Sequence, residues 1–380
     1  MRFEGDFDHL WRIGHRPPIR RLTWDWWWWL IMLDGGSGPD AQVMALWSTK
    51  DTPSIDVNGR PWSSEGRPRS TATRQVLSGQ VCAWYFDGEQ MHEPLIQTPC
   101  RMAALTDQDP SWGSSGIGSG GGAVVPLVDQ DLSMGLASDR SSFWLNLQPP
   151  FDDGLVGGPR SMRFRIEPWT DVLSTLRPAS ADYALGMGYD ILRLHGARVS
   201  GTIDGCATQG TAYFQKVCVQ APAVPWYWGL LHLSDGTYLD WFLPHVSMTM
   251  TNLDDRPWRR RDVGHLPLSQ GGLLHDASAG RTERFARVEV RKERGPNDLP
   301  IFNVRMWNGH TEVVVEAAAS SRAHWSFDQS TWGGLRSHLT YNEYPLEVRH
   351  LRITSPEGVR TERDVAWIRG NAEHAWGLLH

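Results

Sequence analysis

The sequence predicts an all-β protein of antiparallel sheets, and three observations carry that prediction. Runs rich in Val, Leu, Trp, Tyr and Phe, such as QVCAWYFDGEQM and WYWGLLHLSDGTYLDWFL, alternate with Gly, Asp, Asn and Pro punctuation. Turn signals separate them: Asp-Gly at 87–88 and 235–236, and Pro-Glu-Gly at 356–358. Amphipathic helical periodicity is scarce. WTDVLSTLRPAS, Trp169 to Ser180, is the best short helix candidate, and a proline ends it.

In chain order, the opening MRFEGDFDHLWRIGHRPPIRR holds acids, Arg, His and two prolines where a secretory leader needs an apolar run. WWWWLIML is far shorter than the ~20 apolar residues of a membrane-spanning helix. The expected location is cytoplasmic, with peripheral membrane contact left open by a greasy patch. TWDWWWWLIML, Thr23 to Leu33, reads as a strand. It puts Asp25, Trp27, Trp29 and Ile31 on one face and Trp24, Trp26, Trp28 and Leu30 on the other. An acid beside indole faces is a candidate proton donor, and the rings can stabilise a developing carbocation. The structural alternative is a carboxylate hydrogen-bonded to backbone at a barrel rim.

Further along, the glycines of GSSGIGSGGGAVV, Gly113 to Val125, lack a strand–loop–helix frame and read as a surface loop. Lys216, in AYFQKVCV, would be costly on a buried strand unless paired or deprotonated, and is expected to point to solvent. The composition breaks at TNLDDRPWRRRD, Thr251 to Asp262. That break divides the chain into an N-terminal domain, 1–250, and a C-terminal domain, 251–380, the latter long enough for one closed barrel.

WYWGLLHLSDGTYLDWFLPH is the most informative stretch. With a two-residue Asp235-Gly236 turn, Ser234 faces Thr237. One face then carries Trp226, Trp228, Leu230 and His232 with Leu239, Trp241, Leu243 and His245. The other carries Tyr227, Gly229, Leu231 and Leu233 with Tyr238, Asp240 and Phe242. Neither face is polar, so both are expected to be covered. Asp240 between Tyr238 and Phe242 would be desolvated and favoured as a neutral proton donor. The alternative is an acid satisfied by a hydroxyl or an arginine.

The totals exclude several classes. A net charge of −6 with both signs interspersed and no basic stripe argues against nucleic acid as a partner. The four cysteines, Cys82, Cys100, Cys206 and Cys218, form no C-x-x-C and read as buried reduced thiols. No His, Asp or Glu group has metal-ligand spacing, so no metal is expected. A G-x-S-x-G nucleophile motif is absent. The outlying number is 21 tryptophans, which recur in clusters suited to an extended apolar ligand.

Several segments resemble the lipocalin-like carotenoid 1,2-hydratase (hydroxyneurosporene synthase) family. DWWW, Asp25 to Trp28, is similar to its Glu-Trp-Trp-Tyr opening, and YDILRLHGARVSGTIDGCATQGTAYF to the strand pair before its central motif. WYWGLLHLSDG and GNAEHAWG, Gly370 to Gly377, resemble later strands. The resemblance covers most of the chain in order through short motifs. It implies two consecutive lipocalin-like (calycin) antiparallel barrels or sandwiches, relatives among tocopherol cyclases and lipocalin-like cyclases and Diels–Alderases, and no cofactor. The family's central Asp-His-(Gln/Asn)-Trp-Gly is replaced here by Gln215-Lys216-Val217-Cys218-Val219, which lacks the His and Trp linked to hydration. Its Tyr-x-Asp pair has a counterpart in Tyr238-x-Asp240.

The function expected is a cofactor-independent enzyme that protonates a double bond of an apolar isoprenoid or polyene, leading to cyclisation, isomerisation or hydration. The other class is a non-catalytic carrier of such a ligand. Asp240 is the first candidate acid, with Tyr238 relaying or orienting the proton and Asp25 the second acid. The expected pocket lining is Trp24, Trp26, Trp27 and Trp28, Trp226, Trp228 and Trp241, His232 and His245, and Tyr213 and Gln215.

Overall fold

The structure, a computed structural model, describes residues 1–36, 39–64, 69–105, 123–126, 132–149, 158–221, 224–247, 265–330 and 336–379. Most of segment 113–125 and all of the 251–262 break lie outside the described residues. The chain is all-β, 70% strand and 4% helix, in two large curled antiparallel sheets. No helix among the described residues is long and apolar enough to cross a membrane. The helix expected over 169–180 is instead a turn followed by strand Thr175–Asp182, which pairs with Gly188–Ile203. A ladder with a long neighbouring strand overrides the weak local helical pattern, and Pro178 blocks a helix in any case.

Two compact units result. One comprises Met1–Ile55, Pro61–Asp87 and His92–Ala221, the other Asp56–Arg60, Gly88–Met91 and Pro222–His380. The division thus falls at 221/222 and not at 250/251. The reason is backbone pairing: Trp226–Leu233 and Tyr238–Ser247 find their ladder partners in strands Ile368–Leu379 and Gly271–Asp276.

In the first unit, strand Cys206–Gln220 pairs with Thr23–Leu33 on one side and with Gly188–Ile203 on the other. The main run of the sheet therefore closes on itself and loses its free edges. Period-2 alternation splits the tryptophan run as expected. Trp27 and Trp29 point into the core with Ile31, Leu33, Trp47, Phe143 and Phe214. Trp29 packs 4.5 Å from the Phe214 ring centroid and 5.4 Å from that of Phe143. Trp24, Trp26 and Trp28 take the opposite face.

In the second unit the sheet runs Arg281–Phe285, Gly271–Asp276, Tyr238–Ser247, Trp226–Leu233, Ile368–Leu379, Arg336–Ser355, Glu312–Ala319, Pro300–Trp307, Arg287–Arg294. Phe285 from one end and Val288 and Val290 from the other share one core with Tyr227, Leu231 and Trp241, so the sheet curls round that core. Gly229 lies opposite Trp241, and a Cβ there would collide with the indole ring. The missing side chain lets the ring lie flat on the backbone.

The hairpin turn differs from expectation by one residue. Leu233 N donates to Thr237 O, Gly236 adopts φ +88°, and His232 faces Tyr238. This is a three-residue loop with a left-handed glycine. Because side chains alternate with period two, the slip exchanges the faces of the second strand. Tyr238, Asp240 and Phe242 now share a face with Trp226, Trp228, Leu230 and His232. Trp241 and Leu243 turn into the core with Tyr227, and His245 stacks on Tyr227 at 5.0 Å.

Candidate functional site

The register correction assembles a buried polar face in the second unit. Its rows follow from the pairing. Pro244, Trp226, Ala375 and Tyr341 lie across four adjacent strands. The next row is Phe242, Trp228, Glu373 and Glu343, and the next is Asp240, Leu230, Asn371 and Pro345. Tyr238, His232 and Arg369 follow. His232, Tyr238, Glu343 and Asn371 are fully buried, and Asp240 and Glu373 nearly so.

Two clusters on this face carry proton chemistry. In the first, Tyr238 Oη donates to Asp240 Oδ2 at 2.9 Å, and the His232 ring lies 5.4 Å from the Tyr238 ring. In the second, Tyr341 Oη lies 2.5 Å from Glu343 Oε1 and 2.6 Å from Glu373 Oε1, while Trp226 Nε1 donates to Glu373 Oε2 at 2.9 Å. A phenol has one hydrogen to donate. Its hydrogen serves one carboxyl at a time, so a proton held on the other glutamate would let both contacts be hydrogen bonds. Glu343 and Glu373 also face each other directly across the ladder, where two negative charges would repel. Burial pushes the Glu373 carboxyl up to about 7 against the opposing pull of Tyr341 and Trp226. Burial, reinforced by the two carboxyls, raises the Tyr341 phenol well above its ordinary value, so it stays protonated.

The sheet lattice sets the span. Asp240 and Glu373 are two strands and two residues apart, roughly 12 Å between backbones. Trp228 and Leu230 lie between them, and the Trp226 ring is 6.0 Å from that of Tyr341. The face thus offers proton-bearing groups at two positions with indole and aliphatic surface between. Among the described residues, no three His, Cys, Asp or Glu side chains converge as metal ligands.

Asp25 has a different setting. Lys216, expected at the surface, is fully buried, and its Nζ donates to Asp25 Oδ1 at 2.5 Å and to Val217 O at 3.1 Å. Gly14 N donates to Asp25 Oδ2 at 3.2 Å. Lys216 is placed by its register opposite Trp27, whose ring lies 4.5 Å from the ammonium. The carboxylate therefore binds the N-terminal segment over the end of the first core, a role close to the backbone-bonded rim acid. Neighbouring bonds complete the closure: Trp27 Nε1 donates to Leu10 O at 2.8 Å, and Arg16 Nε to Gln220 Oε1 at 3.0 Å. Burial, then His15 and Lys216, lowers the pKa of His9, which stacks on His15 at 4.0 Å.

The expected lining residues divide three ways. Trp226, Trp228 and His232 lie on the acid-rich face. Trp24, Trp26, Trp28, Tyr213 and Gln215 share the face of the first sheet opposite Trp27 and Trp29, where the buried Trp28 and Tyr213 rings pack edge-to-face at 5.7 Å. Trp27, Trp241 and His245 point into the two cores and leave the lining set, the first by strand alternation and the other two by the register shift. Cys82 and Cys218 are buried as expected, whereas Cys100 is half-buried and Cys206 exposed beside the 203–206 turn.

Sequence reasoning missed Tyr341, Glu343 and Glu373. Two signals were present: TYNEY repeats the Tyr-x-acid spacing of Tyr238-x-Asp240, and GNAEHAWG places an acid inside an apolar strand.

No protein-family profile and no curated sequence matches the chain. Several solved structures are similar over most of it. One, assigned as an ATTH of Nitrosomonas europaea, is 15% identical, with 93% of this chain and 92% of that chain covered at a TM-score of 0.49. Kievitone hydratase from Nectria haematococca is 9% identical over 95% and 94%, TM-score 0.39. CghA with Sch210972 is 11% identical over 93% and 87%, TM-score 0.44.

Proposed function

We propose that this protein is a cofactor-independent acid–base enzyme that protonates a carbon–carbon double bond of an apolar isoprenoid or polyene. The observation that carries the reading is the Tyr341 hydroxyl held between Glu343 and Glu373 on a buried face. A carboxyl kept protonated near neutral pH is the general acid such a step requires. Protonation of an alkene leaves a carbocation, and the Trp226 and Trp228 rings beside Glu373 supply π-faces to stabilise it. Asp240, hydrogen-bonded to Tyr238 across the same face, is placed to accept the proton that ends the reaction or to activate a water. Loss of a proton gives an isomerised or cyclised product; capture of water gives a hydrated one. The Glu373 cluster gives up one proton and Asp240 gains one, from the carbocation or from the added water whose hydroxyl goes to carbon; proton exchange with solvent resets both groups, and no oxidant or reductant is needed.

A carrier role is the second reading, supported by the buried and half-buried ring cluster of Trp24, Trp26, Trp28 and Tyr213 in the first unit, which needs no acid to hold a polyene. One experiment separates the two. The ligand that co-purifies is identified by mass spectrometry and returned to the protein in D2O. Enzymatic protonation places one deuterium per turnover in the product, and Glu373→Gln lowers that incorporation by about 10²–10⁴-fold while binding persists. Bound ligand recovered unchanged and undeuterated from the wild-type protein establishes the carrier and overturns the proposal.

A further inference from the structure

Lys50 is the last residue of strand Ala41–Lys50, directly opposite Trp24, and only 5% exposed. Its Nζ stands 4.3 Å from the centroid of the Trp24 ring. The other two lysines of the chain are engaged: Lys216 with Asp25, and Lys292, whose Nζ lies 3.0 Å from His374 Nδ1. Among the described residues, no carboxylate or carbonyl reaches the Lys50 amine. A buried ammonium without an anion is costly, and shedding its proton removes the cost. Desolvation alone lowers the Lys50 pKa to about 7. The amine is thus a nucleophile at neutral pH, on the face that also carries Trp26, Trp28 and Ser48.

We propose that Lys50 is a covalent capture site for an apolar aldehyde, held as an imine against Trp24. The amine lone pair attacks the carbonyl carbon, the C=O π electrons move to oxygen, and a proton passes from nitrogen to oxygen to give a carbinolamine. Loss of water then forms the C=N bond, so amine and aldehyde become imine and water with no redox change. The protonated imine is a cation, and the Trp24 face at 4.3 Å stabilises it. This inference is independent of the acid chemistry assigned to the second unit.

Three lysines in the chain make the test clean. The protein is incubated with citral, an isoprenoid aldehyde, or with glyoxylate, a polar one. The imine is trapped with cyanoborohydride and located by peptide mapping. One citral adduct per chain is expected, on Lys50, with Lys216 and Lys292 unmodified and little glyoxylate incorporation. Lys50→Met and Lys50→Arg, checked by circular dichroism, should lose that adduct, and Glu373→Gln should keep it. Citral distributed over the N-terminal amine and Lys292 with Lys50 unlabelled overturns the proposal. An adduct retained in either Lys50 variant, or glyoxylate incorporation equal to that of citral, does the same. Should neither variant fold, the wild-type peptide map decides.

Discussion

Glu373→Gln offers a thermodynamic check on the shared-proton cluster that needs no substrate. Burial raises the Glu373 carboxyl from its ordinary 4.5 to about 7 in the folded protein. Between those values the unfolded chain has released the proton and the folded one keeps it. Stability therefore falls as pH rises through that window, is unaffected by this group below it, and has lost the full amount above pH 7. At about 1.4 kcal/mol per pH unit the loss is about 3 kcal/mol. Glutamine preserves the hydrogen-bond pattern of the protonated acid: its oxygen accepts from Trp226 Nε1, and its amide donates to the Tyr341 oxygen while Tyr341 donates to Glu343. It cannot ionise, so the loss disappears. Urea denaturation at pH 5, 6, 7 and 8 should show wild-type stability falling by about 2.5 kcal/mol more than that of the variant, since part of the loss is already present at pH 5, with the variant the more stable at pH 8. Parallel curves for the two proteins, or a variant less stable at pH 8 with an unchanged urea slope, would refute the protonated cluster.

Three further outcomes are expected. Asp240→Asn should lower turnover by about 10²–10⁴-fold with the fold intact, and Tyr238→Phe by less, since it keeps the ring and removes the hydroxyl that bonds Asp240; steady-state kinetics beside circular dichroism check both. Lys216→Met should destabilise by about 3–5 kcal/mol, because it leaves Asp25 buried without its cation, and adding Asp25→Leu should recover most of the loss in urea denaturation. Gly229→Ala should cost about 1–3 kcal/mol by displacing the Trp241 ring, read as a drop in melting temperature and a change in near-ultraviolet dichroism.

The sequence by itself determined the fold class and the composition of each strand face. Alternation of period two sorted Trp27 and Trp29 from Trp26 and Trp28, because that geometry is local to the strand. The Tyr238-x-Asp240 pair was legible for the same reason: two residues apart on one strand means one face, whatever the strand pairs with. Tertiary structure decided everything that depends on pairing. A turn longer by one residue moved Asp240 onto the face of Trp226 and Trp228 and sent Trp241 and His245 to the opposite side. The long separation between Tyr238 and Tyr341 hid their common face, since strand order in a sheet is fixed by the whole ladder. Lys216 reads as an exposed cation until the register sets it beside Asp25, 191 residues away. Charge burial is a property of the neighbours a residue acquires on folding, and those neighbours are not local in sequence.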